Sequence, residues 1–144
     1  MLRRTGIKAE KLLSGLTEPC IIITKTNEHE FLPEKPEHYS FIKPDKLLVS
    51  TKTGSSTWLN LQNFRFLNFI LPREILWQHL DFSSSFAAKE IQGKIKNWKG
   101  RFRQLPVFEN SEFVLECETI TQMKLNDSVI FGNKIKVIWN RVNL

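Results

Sequence analysis

Apolar residues recur along this chain with two different periods, and the switches between them mark the predicted elements. CIIIT at residues 20–24 is a continuous apolar run, the pattern of a buried strand. LLVSTKT at 47–53 reads as a second strand that breaks at Gly54-Ser55-Ser56. TWLNLQ then places Leu59 and Leu61 on one face, and Phe64 and Phe66 resume the period of two around Arg65. The C-terminal third predicts a β-meander. In FVLECETITQMKL, Phe113, Leu115, Cys117, Thr119, Thr121 and Met123 share one face, and Glu116, Glu118, Gln122 and Lys124 share the other. Asn126-Asp127 marks a turn, and Gly132-Asn133 reads as a two-residue hairpin loop between SVIF and KIKVIW.

Helical spacing occurs in three places. Ile7, Leu12 and Leu16 predict a short helix within Thr5–Leu16, bounded by glycines and ending before Pro19. In PREILWQHL, Pro72 suits a first helical position and Ile75, Leu76 and Leu80 point inward. Ser83-Ser84-Ser85 offers N-caps for a helix from Phe86 to Lys99, whose stripe is Ala87, Ile91, Ile95 and Trp98. Lys89, Lys96 and Lys99 fall on the opposite side; Gly93 weakens this helix and Gly100 ends it. Residues 25–46 contain Pro33, Pro36 and Pro44 and predict an irregular loop. The 144 residues fit one domain, 1–144, of class α+β: an antiparallel sheet with two to three short helices, one of them basic and amphipathic.

Composition fits this picture. Hydrophobic residues make up 41% and charged residues 25%, with eleven Phe and four Trp to fill a core, so disorder of the whole chain is excluded. Cys20 and Cys117 sit in apolar stretches with no metal-ligand spacing, so they read as small hydrophobes, reduced, in a cytoplasmic protein. No apolar stretch reaches membrane-spanning length, and no membrane contact is expected.

Charge adds the strongest chemical signal. The run KEIQGKIKNWKGRFR, residues 89–103, carries a net +5 of the chain's +6. Residues 1–11 carry a further +3, leaving the remainder at −2. Lys89, Lys94, Lys96, Lys99, Arg101 and Arg103 are interleaved with Trp98 and Phe102, and Arg3 and Arg4 form the N-terminal cluster. Cations with aromatics between them attract phosphates and stack on bases. These residues, Phe102 included, predict a nucleic-acid surface, with RNA or DNA phosphate as partner. The expected function is a small accessory subunit among the protein subunits of a larger nucleoprotein complex, such as an RNA-guided defence complex. Two alternatives share parts of the signal. One is a protein–protein module whose basic face meets an acidic partner.

The other is a small nuclease. Glu116 and Glu118, two apart on a strand, could hold a metal, but the acid-x-Lys element of restriction-type nucleases is missing. His38 and Lys43 could serve metal-free phosphoryl chemistry. The chain has no GxxxxGK[ST], GxGxxG, HExxH or GxSxG motif, which disfavours P-loop hydrolysis, dinucleotide binding by a Gly-rich turn and serine-hydrolase chemistry. No catalytic residue, metal or cofactor is assigned from the sequence.

Overall fold

The computed structural model describes residues 1–142. In chain order the elements are β1 (Leu2–Thr5), α1 (Ala9–Leu13), β2 (Ile21–Lys25), β3 (Phe31–Glu34), β4 (His38–Ile42), β5 (Lys46–Lys52), α2 (Ser56–Phe64), β6 (Phe66–Pro72), α3 (Glu74–Trp77), α4 (Ala88–Gln92), β7 (Asn97–Lys99), β8 (Pro106–Phe108), β9 (Ser111–Leu125) and β10 (Ser128–Arg141). One antiparallel sheet runs β3-β2-β6-β9-β10-β5-β4, and β1 also pairs with β10. β7 and β8 form a separate ribbon. The class is α+β, mostly antiparallel sheet with few short helices.

Alternation within the strands divides the core between the two faces of the sheet. In β2, Ile22 joins Leu61, Leu67, Phe69, Leu115, Cys117 and Phe131 on the face covered by α1 and α2. Its neighbours Ile21 and Ile23 join Ile70, Leu76, Ile91, Ile95, Phe108 and Val114 on the face covered by α3, α4 and the β7–β8 ribbon. A strand buried on both faces must be apolar at every position, which explains the unbroken CIIIT run. The sheet also curls on itself. The Thr51 hydroxyl of β5 donates to Glu34 Oε2 of β3 at 3.1 Å, and the Tyr39 hydroxyl of β4 donates to the Glu18 carbonyl just before β2 at 2.7 Å. Strands far apart in the sheet order therefore meet, and the sheet curls toward a barrel.

The structure revises several sequence expectations. Residues 25–46 form β3 and β4 rather than an irregular loop. Both are sheet-path ends, where proline is tolerated because one row of N–H groups needs no partner; Pro33 lies within β3. TWLNLQ is helical: Thr57, Asn60 and Leu61 are its buried positions, at i, i+3 and i+4, whereas Leu59 is exposed. Ser55 caps it by accepting from Trp58 N–H, and Arg65 closes it in the left-handed region at φ 53°. The N-terminal helix shrinks to α1, because Leu2–Thr5 pairs with β10 as β1. Pro72 ends β6 instead of opening α3, and Ile75 is exposed.

The C-terminal meander is a single long hairpin turning at Asn126-Asp127, with Asn126 at φ 54°. Gly132-Asn133 lies inside β10, at a register shift where Gly132 opposes Thr121 and Asn133 opposes Thr119. Ile120 is the extra residue of this bulge, so the faces exchange beyond it. Gln122 and Lys124 then oppose the core residues Phe131 and Val129, and Met123 turns outward, exposed. Gly132 has a packing reason to lack a side chain, since a Cβ there would overlap the Thr121 hydroxyl.

Two buried thiols and the half-buried Tyr39 favour their protonated forms in this core. Burial pushes the Cys20 thiol up to about 12 from 9.0, with Tyr39's hydrogen bond opposing in part. Burial and the neighbouring Cys20 push Tyr39 up to about 12 from 10.0. Burial also raises Cys117. Groups raised in the folded state stabilise it fully below their unfolded values and lose that contribution as pH rises through the folded ones. Urea midpoints are therefore expected to be insensitive to these groups below about pH 9, and to fall progressively from there toward about pH 12.

Candidate functional site

The structure takes the basic run apart. α4 stops at Gln92, and the segment then forms a turn, strand β7 and a bend. The Asn97 amide donates to the carbonyls of Ala88 and Ile95, fixing the exit from α4, and β7 pairs with β8. Lys89 and Lys94 are exposed on and just after α4, Lys96 precedes β7, and Lys99 ends it. Lys89, Lys96 and Lys99 therefore share no helical face. Arg3 and Arg4 are adjacent residues of β1, so their side chains leave opposite faces.

Residues 100–103 are organised by an acid. Glu116 is buried and accepts N–H from Arg101 at 3.0 Å, Phe102 at 2.8 Å and the Trp139 indole at 2.8 Å. Gly100 packs so closely that a Cβ would overlap Glu116 Oε1 and crowd the Leu105 carbonyl. Trp98 packs edge-on against Trp139, with centroids 5.6 Å apart, so it belongs to the core wall. Arg103 lies over the Phe102 ring at 4.3 Å, and Lys136 approaches the same ring at 5.7 Å. Glu118 bridges the two cations, 4.0 Å from Arg103 and 3.9 Å from Lys136.

The residues considered for nuclease chemistry are not brought together. Glu116 spends its oxygens on three N–H donors and Glu118 on two cations. Among the described residues no group of three or more His, Cys, Asp or Glu side chains could hold a metal ion. His38 opens β4 and Lys43 follows its last residue, about 16 Å away along the extended strand. Lys43 instead pairs with Glu10 at 2.8 Å, which holds its ammonium above the ordinary range.

A different set converges at the start of α2, the one helix of nine residues. Thr53-Gly54-Ser55 leads into it, with Gly54 at φ 82°, a conformation that only glycine adopts without strain. Thr53 N–H is held by the Asp127 carbonyl at the hairpin turn and Ser55 N–H by Lys52. The Ser55 hydroxyl bonds Thr51 and caps Trp58. Among the described residues Ser56 and Thr57 N–H have no acceptor, as expected of a first helical turn. The Thr57 hydroxyl, wholly buried in that turn, has no partner either. Lys52, Thr53 and Ser56 are exposed around it. Unspent N–H groups at the positive end of a helix form an anion site. In the sequence Gly54-Ser55-Ser56 reads only as a strand break; its legible signal as a helix start is a serine N-cap candidate just after a glycine.

Comparison with known proteins supplies the fold class. No protein-family model and no curated protein sequence matches the chain. Solved structures do. The FMN-binding protein of Thermus thermophilus is 15% identical, with a TM-score of 0.67 over 85% of this chain and 70% of that one. Component B of nitrilotriacetate monooxygenase from Mycobacterium thermoresistibile is 17% identical, with a TM-score of 0.67 over 85% and 68%. The NADH:FAD oxidoreductase of Streptomyces globisporus is 12% identical, with a TM-score of 0.67 over 84% and 74%. The chain thus shares the split-barrel-like fold of these structures.

This corrects the functional expectation. The fold is that of flavin proteins and oxidoreductases, not of a nucleic-acid-binding subunit, and the partners expected with that reading, nucleic-acid phosphates and the subunits of a nucleoprotein complex, fall with it. The physical reason is that the helical face expected to carry Lys89, Lys96 and Lys99 does not form, and that Arg103 is paired with Glu118. The protein–protein and nuclease alternatives rested on the same charges and acids and are withdrawn too. No helix is long and apolar enough to cross a membrane among the described residues.

Proposed function

We propose that this chain binds a flavin nucleotide and serves flavin-linked redox chemistry. The observation that carries the reading is the coincidence of two features: a fold shared with flavin-binding structures, and an unspent anion-binding turn at the start of α2. Further support comes from the likeness to a 2-nitrobenzoate 2-nitroreductase from Pseudomonas fluorescens, 10% identical with a TM-score of 0.66 over 91% of this chain.

The donor set suits a flavin phosphate. Ser56 and Thr57 offer backbone N–H, Thr53 and Ser56 offer exposed hydroxyls, and the Thr57 hydroxyl is an orphaned buried donor in the same turn. Lys52 adds a cation at the end of β5. The neighbouring carboxylate, Glu34, is engaged by the Thr51 hydroxyl. When bound, a flavin supplies hydride or single-electron transfer. The chain's part is to bind the phosphate, orient the nucleotide against the sheet edge and keep Gly54 in the conformation that exposes the N–H groups.

Purified protein mixed with excess FMN and then dialysed is expected to retain a yellow chromophore with a shifted near-450 nm band. Complete loss of flavin at micromolar protein, with a spectrum identical to free FMN before dialysis, would remove the reading.

A further inference from the structure

The edge of β10 facing away from β9 carries two different strands. β5 pairs with residues 128–134 and β1 with residues 138–141. Residues 135–137 lie between them with no strand alongside; Ile135 N–H is taken by the Asp45 carbonyl at 2.8 Å. A cleft of about 870 Å³ opens at this gap, within the size range of small-molecule sites. β1 and the segment entering α1 form one wall, the Lys43–Asp45 turn forms the other, and β10 forms the floor.

Its lining is divided by chemistry. Ile7, Pro44, Ile135, Val137 and Ile138 supply apolar surface, with Ile135 buried and Ile7, Val137 and Ile138 half-buried. Arg4, Lys8, Lys43 and Lys136 supply charge from β1, the α1 N-cap, the turn and β10, against the acids Glu10 and Asp45. Lys43 is neutralised by Glu10 at 2.8 Å, and Lys136 leans toward Glu118 at 3.9 Å. Arg4 and Lys8 reach no carboxylate among the described residues. Two cations without a carboxylate partner therefore line the cleft beside apolar side chains, where a ligand removed from bulk water would feel them more strongly.

We propose that this cleft binds a small amphipathic anion, its apolar body on the Ile135–Ile138 floor and its carboxylate or phosphate held by Arg4 and Lys8. Arg4 forks onto two oxygens and Lys8 acts as a point charge. The apolar floor requires a hydrophobic body, which separates this site from a patch that condenses any anion. The proposal does not rest on the flavin reading, whose turn lies on α2.

Isothermal titration of the whole chain with benzoate, phenyl phosphate, inorganic phosphate and benzyl alcohol tests it. Benzoate, phenyl phosphate or both are expected to bind at least tenfold more tightly than inorganic phosphate and benzyl alcohol. Which of the two binds identifies the anionic group. Arg4→Gln is expected to weaken binding about tenfold and Lys8→Gln several-fold, while Lys89→Gln and Ser56→Glu leave it unchanged. All four substitutions are at exposed positions, and circular dichroism checks the fold. Equal binding of inorganic phosphate or benzyl alcohol, indifference to Arg4→Gln, loss in Ser56→Glu, or no binding of either aromatic anion would each overturn the proposal.

Discussion

Replacing Glu116 by alanine is expected to lower the unfolding free energy by about 3–5 kcal/mol, the largest effect of any single substitution outside the apolar core. The side chain is 1% exposed and accepts three hydrogen bonds, from Arg101 N–H, Phe102 N–H and the Trp139 indole. Truncation leaves three donors without their acceptor, and each unpaired group costs about 1–3 kcal/mol. Gly100 packs against the same carboxylate, so the loop loses both its anchor and its packing partner. For a chain of this length the loss corresponds to roughly a 10–15 °C fall in Tm. Urea unfolding and calorimetry check it. A change under about 1 kcal/mol would mean that the 100–103 loop is not held by Glu116. Glu116→Gln keeps the shape but presents an amide to N–H donors, and an intermediate loss is expected.

The second large effect concerns binding. Ser56→Glu places a carboxylate in the first turn of α2, where the helix dipole favours negative charge. Folding stability is therefore expected to be unchanged or to rise by about 0.3–1 kcal/mol. The same carboxylate would sit within a few ångströms of a phosphate bound by the Ser56 and Thr57 N–H groups. Repulsion at that range in a partly desolvated site is worth about 2–3 kcal/mol, so FMN affinity is expected to fall roughly 30- to 100-fold. Stability and binding move in opposite directions, which a merely structural role for the turn would not produce. Riboflavin, which lacks the phosphate, should lose little.

The strands that fill the middle of the sheet were legible because burial on both faces leaves no ambiguity of pattern. Ile21-Ile22-Ile23 can only be a doubly buried strand or part of a buried helix, and the shortness of the apolar run with its β-branched residues favours the strand. The failures lie where a local rule had two readings. Leu59 and Leu61 are two apart and satisfy a strand, yet the helix was specified by Thr57, Asn60 and Leu61, of which two are polar. Asn60 is buried because its amide donates to Thr24 and Thr26, a tertiary contact that no local pattern announces. Gly132-Asn133 has the chemistry of a hairpin loop but serves a bulge inside a fourteen-residue strand.

The site failed for a related reason. Charge density in residues 89–103 is visible in one dimension, but a binding surface depends on which side chains end up adjacent and uncompensated. Arg4 and Lys8, four residues apart, are legible as local charge alone; the β10 floor and the Lys43–Asp45 turn that complete the cleft come from segments far away in the chain. The α2 turn consists of backbone N–H groups, which carry no signature beyond Gly54 and the serines that follow it.

The central claim is tested most directly by fluorescence titration of FMN and riboflavin with the wild-type chain and Ser56→Glu in parallel. Micromolar or tighter quenching of FMN, weaker for riboflavin and weakened roughly 30- to 100-fold in the variant, is the predicted result. Absence of FMN quenching at tens of micromolar protein, or equal affinity for FMN in both proteins, would contradict flavin binding through the α2 turn.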